Sequence, residues 1–284
     1  MTRPSGTALV LTTAACLTLH AQTFKSRVDS VRLDALVVAN GQPVLGLSAD
    51  DFEVRDNGVL QKVTLLGTGS LPLDVILVLD MSGSLPAERL EALRAAAGTL
   101  LAALESDDRA ALATFSYEIH RAQALTSDFA SVRRGLERVK PSGGTALVDA
   151  MYAAIGMNDP GERRGLMIVF SDGIDTASWL QPTAVIGAAQ RSEITIYAVS
   201  TAMPAHTPAL LREVTEETGG KLLEVDSASL ATAFTRVLNE FRQRYVLSYT
   251  LPGTAAEGWH RIEVRVKKRN AVVKARPGYR IGRR

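Results

Sequence analysis

The sequence predicts an α/β fold, in which a doubly wound, mostly parallel sheet carries helices on both faces and a small β-sandwich is built from the two ends of the chain. Three observations support this prediction. Apolar, strand-length runs alternate with helical patterns between Leu73 and Phe241, an order typical of parallel sheets. The segments before and after this region show short alternating runs and turn signals instead. A hydrophobic share of 46% and a charged share of 22% are enough for a core of ordinary size.

The chain begins with a segment typical of a secretory signal peptide, which we assign to residues 1–21. Arg3 precedes an apolar run without acidic residues from Ala8 to Leu19, and the small residue Ala21 follows at a plausible cleavage site. This pattern predicts a secreted or periplasmic protein with no membrane span in the mature chain, because the run is short for a stable anchor. A buried N-terminal helix is one alternative, and a lipid anchor on Cys16, the only cysteine, is another.

A β-rich segment occupies residues 22–70. Apolar and polar residues roughly alternate from Arg27 to Ala39, which predicts a half-buried strand. Further on, the turn sequence Asp56-Asn57-Gly58 separates two strand-like runs, Phe52–Arg55 and Val59–Leu66, and is a strong hairpin signal. We therefore expect at least three strands before the parallel sheet begins.

The α/β unit follows a linker at Gly67–Pro72 and occupies residues 71–243. Its strands are recognised as nearly continuous apolar runs, and its helices by apolar residues at spacings of three and four. The predicted strands are Asp74–Leu79, Ala110–Phe115, Ile119–Leu125 at an edge, Leu166–Phe170 and Ile194–Val199. The predicted helices are Pro86–Leu104, Phe129–Val139, Ala146–Ile155, Thr183–Gln190, Leu210–Thr218 and a last one with an apolar stripe from Leu230 to Phe241.

The final segment, residues 244–284, returns to strand patterns. They occur at Tyr245–Tyr249, at Ile262–Val266 and at Val272-Val273. Neither β-rich end is large enough to bury a core alone. We therefore expect residues 22–70 and 244–284 to pair into one small β-sandwich, with the α/β unit inserted between them.

A set of oxygen-bearing side chains follows the first buried strand. Asp80, Ser82 and Ser84 alternate along an extended segment, so their side chains can face one way, and Gly83 allows the backbone to turn between the serines. One carboxylate and two hydroxyls on one side are the kind of donor set that Mg²⁺ accepts, while retaining some of its water. This spacing makes the segment a candidate half of a metal site.

Two further oxygen donors complete the candidate site. Thr145 follows Gly143-Gly144 at the start of a helix, and Asp172 follows the buried strand Leu166–Phe170. Ligands of open α/β sheets bind at the carboxyl ends of the strands, where Asp80 and Asp172 both lie. Alternative roles exist for single residues: Ser84 and Thr145 are suitable helix caps, and Asp172-Gly173 is a common turn sequence. Convergence of all five residues favours a metal site.

The spaced set resembles the metal-ion-dependent adhesion site of von Willebrand factor type A domains, which have a Rossmann-like fold. The resemblance rests on Asp80-x-Ser82-x-Ser84, on Gly144-Thr145 and on Ser171-Asp172-Gly173, with no departure at the five metal positions. It covers nearly all of the mature chain. A bacterial subgroup of such proteins is also similar in Gly46-Leu47, Asp51-Phe52-Glu53-Val54, Ala146-Leu147 with Asp149-Ala150, Asp175, Thr218-Gly219-Gly220, Tyr245 and Gly278-Tyr279.

The resemblance implies a non-enzymatic, metal-dependent adhesion or interaction module. In such sites Ser82, Ser84 and Thr145 would bind the metal directly, and Asp80 and Asp172 would act largely through water. Two carboxylates and neutral hydroxyls leave a dication electrophilic, with one position open for an acidic residue of a protein partner. We expect Mg²⁺, with Mn²⁺ or Ca²⁺ as alternatives.

Three other functions are alternatives to this one. A metal-dependent hydrolase needs a general base, but His120, His206 and His260 lie outside the motif segments, so no catalytic residue is assigned. A structural module with a vestigial metal site is a further alternative, as is an adaptor for an ATPase. Nucleic acid is not an expected partner, because the formal net charge is +2 and the basic clusters Lys267–Arg269 and Arg283-Arg284 are short.

Overall fold

The computed structural model describes residues 30–69, 71–159, 161–172, 174–201, 207–251, 256–267 and 270–281. The predicted signal peptide, residues 1–21 with Cys16, lies outside these ranges, as do Gly173 and His206. No helix in the described ranges combines the length and apolar character needed to cross a bilayer.

Strands and helices follow the predicted order. The strands are β1 (Ser30–Ala39), β2 (Gln42–Pro43), β3 (Phe52–Asp56), β4 (Val59–Gln61), β5 (Thr64–Thr68), β6 (Leu73–Asp80), β7 (Arg109–Phe115), β8 (Ile119–Thr126), β9 (Arg164–Ser171), β10 (Thr195–Ser200), β11 (Leu222–Glu224), β12 (Tyr245–Thr250), β13 (Gly258–Val266), β14 (Ala271–Lys274) and β15 (Gly278–Ile281). The helices are α1 (Ala87–Ala102), α2 (Phe129–Arg138), α3 (Leu147–Ile155), α4 (Pro182–Arg191), α5 (Ala209–Glu217) and α6 (Leu230–Arg242).

The central sheet has six strands in the order β11-β10-β9-β6-β7-β8, and only the edge strand β8 is antiparallel to its neighbour. Every residue of β6, β9 and β10 is buried, which explains their nearly continuous apolar sequences. Helices α1, α2 and α6 cover one face of the sheet, and α3, α4 and α5 cover the other. The predicted doubly wound α/β fold is confirmed.

The chain ends form the predicted sandwich of two antiparallel sheets. One sheet has the order β14-β1-β12-β5, with β2 beside β1, and the other has the order β15-β13-β3-β4. Alternate residues of β1, such as Leu33, pack with residues of β3 and β12, such as Val54 and Leu247, in a shared core. Strand β1 pairs with β12, and β3 pairs with β13, so each sheet joins the two ends of the chain.

Buried arginines connect the sandwich to the α/β unit. Arg164, at the start of β9, contacts Asp34 of β1 at 2.5 Å and donates to the carbonyl oxygen of Phe241 at 2.9 Å. Arg244, directly before β12 of the sandwich, donates to the hydroxyl of Tyr197 on β10 of the central sheet at 2.8 Å. Because an unpaired buried guanidinium is costly, these contacts fix the position of the sandwich on the α/β unit.

The run Val59–Leu66 was predicted as one strand, and this prediction is wrong. It forms two strands, β4 and β5, that belong to different sheets, since β4 pairs with β3 and β5 pairs with β12. The chain crosses between sheets at Lys62-Val63, where alternation of apolar residues alone gives no sign of the change. Strand β5 also extends through Gly67 and Thr68, which the sequence placed in a linker.

Candidate metal centre

The candidate site lies at the carboxyl ends of β6 and β9, which are adjacent in the middle of the sheet. Asp80 is the last residue of β6, and Asp172 follows the last residue of β9 directly. The register pairs Leu79 with Phe170, so the two acidic residues leave the sheet side by side. The sheet itself therefore brings together two carboxylates that are far apart along the chain.

Asp80 is fully buried, with no exposed surface. One carboxylate oxygen accepts the backbone N–H of Ser82 at 2.9 Å, and the other accepts the hydroxyl of Ser171 at 2.8 Å. Burial raises the pKa of the Asp80 carboxyl above its ordinary value, and the negative charge of Asp172 adds to this rise, while the hydrogen bonds oppose it. The folded chain therefore holds an acidic group at a position that is unfavourable for its charge unless a cation is nearby.

The two serines of the motif present their hydroxyls together. The Oγ atoms of Ser82 and Ser84 are 3.1 Å apart, with Ser82 buried and Ser84 exposed. Between them, the backbone N–H of Gly83 donates to the carbonyl oxygen of Gly143 at 2.9 Å. A Cβ atom at Gly83 would lie 3.3 Å from that oxygen, so glycine permits this close approach.

Thr145 is joined to the same group through the backbone of the Gly143 loop. Its side chain is buried, and its carbonyl oxygen accepts the backbone N–H groups of Thr176 and Ala177 at 2.9 and 3.1 Å. Its own N–H donates to the hydroxyl of Thr176 at 3.0 Å. These bonds connect the loop after β9 to Thr145, two residues before α3 begins.

Ser84 and Thr145 do not cap the helices that follow them. The N-cap residue of α1 is Pro86 and that of α3 is Ala146, and neither cap includes a side-chain hydrogen bond. Ser84 and Thr145 are therefore not helix caps, and their hydroxyls are free of that function.

Asp172 has one satisfied oxygen and one unsatisfied oxygen. Its Oδ2 atom pairs with the guanidinium of Arg89 on α1, and its side chain is 3% exposed. Its Oδ1 atom is buried and has no hydrogen-bond partner among the described residues. A buried carboxylate oxygen without a partner is costly, and a cation or its water shell would remove that cost. The residues present therefore fit a hard divalent ion.

The donor set is unlike a site built from imidazole or thiolate. Within the described ranges, no three His, Cys, Asp or Glu side chains converge. Two carboxylates and three hydroxyls are available instead, which favours Mg²⁺, Mn²⁺ or Ca²⁺ over softer metals.

Two further carboxylates organise the loop after β9 without entering the donor set. Asp175 accepts the backbone N–H of Val148 at 2.9 Å and the hydroxyl of Ser178 at 2.6 Å. Asp149 on α3 accepts the backbone N–H groups of Trp179 and Leu180 at 3.0 and 2.9 Å. These acids therefore hold the loop against the start of α3.

Sequence reasoning did not identify Arg89. Its partner, Asp172, lies 83 residues further along the chain, and an arginine in the first turns of a helix is unremarkable by itself. Only the packing of α1 beside the end of β9 brings this charge to the candidate site.

Comparison with known proteins identifies the family of this arrangement. A family model described as the von Willebrand factor type A domain matches residues 74–236, which is more than half of the chain. An uncharacterized protein of Synechocystis sp. is 37% identical over 90 residues, which are 30% of this chain and 21% of that protein. The chain thus spans about a fifth of the length of this relative.

The chain is similar in fold to solved structures, among them the following two. A von Willebrand factor type A protein from Catenulispora acidiphila superposes with a TM-score of 0.54 at 15% identity, over 91% of this chain and 75% of that one. Proximal thread matrix protein 1 from the mussel byssus, with a zinc-occupied MIDAS motif, superposes with a TM-score of 0.56 at 15% identity, over 67% of this chain and 50% of that one. At such identities the likeness concerns the fold alone.

Proposed function

Because the chain belongs to the von Willebrand factor type A domain family, we propose that it is an exported, non-enzymatic adhesion module that binds a protein partner through a divalent cation. The observation that carries this proposal is the unsatisfied Oδ1 atom of Asp172 beside the buried carboxylate of Asp80. Natural proteins rarely leave a buried carboxylate oxygen without a partner. A cation at this place gives that oxygen a function.

We assign direct binding of the cation to the hydroxyls of Ser82, Ser84 and Thr145. Asp80 and Asp172 would balance its charge largely through bound water, and Mg²⁺ is the ion that suits these oxygen donors best. When bound, the cation supplies an electrophilic position that a partner carboxylate can occupy.

The charges around the site support an acidic partner. Asp80 and Asp172 balance a dication, and the guanidinium of Arg89, paired with Asp172, leaves one positive charge in excess. A single aspartate or glutamate from a partner would neutralise this excess. Complementary charge of this kind favours specific association.

Binding is better supported than hydrolysis. His260 is buried in the sandwich against Asp56, away from the site, and His120 is exposed with Glu118 at 3.4 Å, so neither of these two described histidines is seen in contact with a residue of the site. The carboxylates at the site already contact Ser171, Ser82 and Arg89. Phosphate and ester substrates nonetheless belong in the test, because turnover that requires Mg²⁺ and Asp80 would replace this proposal.

Export is proposed from the leader at residues 1–21, whose charged start, apolar run and small residue are typical of secretion. A secreted or periplasmic location suits adhesion, since a partner surface is then accessible. We retain 22–70, 71–243 and 244–284 as the proposed division of the mature chain.

Calorimetric titration with Mg²⁺ and Mn²⁺ tests the metal site directly. We expect the wild-type protein to bind one ion and Asp80→Asn to bind it about 10- to 100-fold more weakly, as removal of a partner that acts through water does in other metal sites. Asp74→Asn is the matched control, because Asp74 is an equally buried carboxylate at the opposite end of β6, paired with Arg109 at 2.7 Å. Absence of ion uptake by the wild type, or equal losses in both variants, would overturn the site.

Capture of partners from the exported fraction then tests the function. We expect retention in Mg²⁺, release by chelator, and loss in Asp80→Asn but not in Asp74→Asn. A partner held equally with and without chelator contradicts metal-dependent adhesion.

A further inference from the structure

Large apolar side chains are exposed on the loop between β7 and β8 and on the loop after β9, and both loops contact residues 143–145. They are Trp179, 92% exposed, Tyr117, 58%, Ile174, 57%, and Leu180, 38%, and we call this set the apolar rim. Water-exposed tryptophan is uncommon, because burial of its indole contributes more to folding than burial of most side chains. An exposed apolar cluster of this kind is typical of a binding surface.

Tyr117 lies beside the serine motif, against Gly143. A Cβ atom on Gly143 would lie only 2.1 Å from Cδ1 of Tyr117, so the close contact requires glycine. Gly143 also has a φ of +67°, which favours glycine. The carbonyl oxygen of Gly143 accepts from Gly83, between the two metal-site serines. The ring of Tyr117 therefore covers the loop that links Ser82 and Ser84 to Thr145.

Trp179 is presented by a loop with many hydrogen bonds. Its backbone N–H and that of Leu180 donate to Asp149, and two upstream N–H groups donate to the carbonyl oxygen of Thr145. The hydroxyl and N–H of Ser178 both donate to Asp175. The backbone is thus held firmly, while the indole projects into solvent.

A firmly held backbone with an exposed indole makes Trp179 a preorganised residue for binding. A side chain on a rigid loop loses little conformational freedom on association, so more of the free energy of apolar contact remains as affinity. Tryptophan and tyrosine are also the residues that most often dominate the energetics of protein interfaces. The hydrogen bonds of the loop thus have a purpose beyond local stability.

The rim adjoins the candidate site through Tyr117, which packs against Gly143, and through Ile174, two residues after Asp172. With the proposed dication bound, that site would carry an excess of positive charge. Resting on the function proposed above, we infer that the apolar rim binds an aromatic or aliphatic side chain that lies next to the carboxylate of the partner. The occupant is a protein segment in which aspartate or glutamate is flanked by apolar residues. The cation and Arg89 select its charge, and Trp179 and Tyr117 select its neighbour.

A phage-displayed library of random twelve-residue peptides tests this inference. The library is selected on the Mg²⁺-loaded protein and eluted with chelator. We expect enriched peptides to contain an acidic residue with an aromatic or aliphatic residue nearby. A synthetic peptide of the enriched sequence should bind Trp179→Ala about tenfold or more weakly, as expected for a dominant interface residue.

Three variants separate contact from folding. Trp179→Phe retains an apolar ring and should recover most of the affinity, whereas Trp179→Ala should retain the Mg²⁺ affinity of the wild type. Leu60→Ala removes a side chain that is 60% exposed on the distant strand β4, and it should bind the peptide normally. These controls exclude a general effect of removing surface apolar groups.

Several outcomes would overturn the inference. Enriched peptides without apolar neighbours, or equal peptide affinity in Trp179→Ala, would remove the rim from recognition while leaving metal-dependent binding intact. Elution that is insensitive to chelator would instead contradict the proposed function itself. Sedimentation that shows a wild-type dimer and a Trp179→Ala monomer would make the rim an interface between two copies of this chain.

Discussion

Two buried acidic clusters in this protein differ in how completely their oxygens are bonded. In the sandwich, Asp56 accepts the hydroxyls of Tyr249 and Tyr279 at 2.7 and 2.8 Å, and its other oxygen lies 2.9 Å from Nδ1 of His260. At the candidate metal centre, Asp172 has an oxygen with no partner among the described residues. Both acids are largely buried, but only at the candidate metal centre does a carboxylate oxygen, Oδ1 of Asp172, lack a hydrogen-bond donor among the described residues.

The donors and acceptors of the sandwich cluster match one another. Both ring nitrogens of His260 face acceptors, Asp56 and the carbonyl oxygen of Ala256 at 2.7 Å, so the imidazole is best satisfied when doubly protonated. Burial raises the pKa of Tyr249 and of Tyr279, which keeps both as donors. Asp56 thus accepts from two hydroxyls and faces an imidazole whose protonated form is favoured.

The cluster at the candidate metal centre is not matched in this way. Asp80 and Asp172 share one nearby cation, Arg89, and their mutual repulsion contributes to the raised pKa of Asp80. A network in which every acceptor has a donor stabilises the fold, whereas a network with an unsatisfied acceptor can still bind a ligand. The comparison therefore indicates a structural role for Asp56 and supports the binding role proposed for Asp80 and Asp172.

The largest expected difference is in stability. Asp56→Ala should lower the free energy of unfolding by about 3–5 kcal/mol, because it leaves the buried imidazole of His260 and the hydroxyls of Tyr249 and Tyr279 without their acceptor. Asp80→Ala should cost the metal-free protein less than half of that, because it also removes a desolvated negative charge beside Asp172. Urea denaturation in the presence of chelator measures both, and equal losses would contradict the comparison.

The next effect concerns metal affinity. Arg89→Met removes the positive charge next to Asp172, so the affinity for Mg²⁺ should rise about tenfold, or ~1.4 kcal/mol. The sign is informative, because a structural defect would weaken binding rather than strengthen it. Calorimetry is the measurement.

Arg94→Met on the same helix is the matched control for Arg89. Arg94 pairs with Glu91 at 2.7 Å and donates to the carbonyl oxygen of Val139, away from the site. Its loss should leave Mg²⁺ affinity unchanged. If Arg89→Met binds Mg²⁺ no more tightly than the wild type, Arg89 does not oppose the cation.

Features that depend on strand order could be predicted from the sequence. Features that depend on contacts between residues far apart along the chain could not. Asp80 and Asp172 could be placed together because both follow buried strands, and those strands proved to be neighbours. Asp56 was assigned to a hairpin turn, and nothing local indicated that its carboxylate would be buried against His260, 204 residues away. Trp179 has no partner pattern in the sequence, since its exposure depends on hydrogen bonds to Asp149.

Short or divided strands show the same limit. The three residues of β11 are too few for a periodic signal, and β15 was noticed only as a Gly278-Tyr279 motif. Periodicity reports which side of a strand is buried, but not which sheet receives the strand. That is why Val59–Leu66 was taken as continuous although it serves two sheets.

The smallest effect expected is a pH dependence of the sandwich cluster. Burial of His260 opposes its protonation, but hydrogen bonds to Ala256 and Asp56 outweigh burial and raise the pKa of the imidazole above its ordinary value. A raised folded pKa contributes stability below the unfolded value of about 6.5, and that stability is lost as the pH rises through the folded pKa.

The unfolding temperature of the metal-free protein should therefore fall as the pH increases above about 6.5. In His260→Gln this part of the decline should disappear, because glutamine can donate to Asp56 without titrating. The chelator removes any contribution from the candidate metal centre, so the difference between the two profiles belongs to His260. Identical profiles would mean that His260 is not a cation in the folded protein, and the sandwich cluster would then resemble the cluster at the candidate metal centre more closely than its hydrogen bonds indicate.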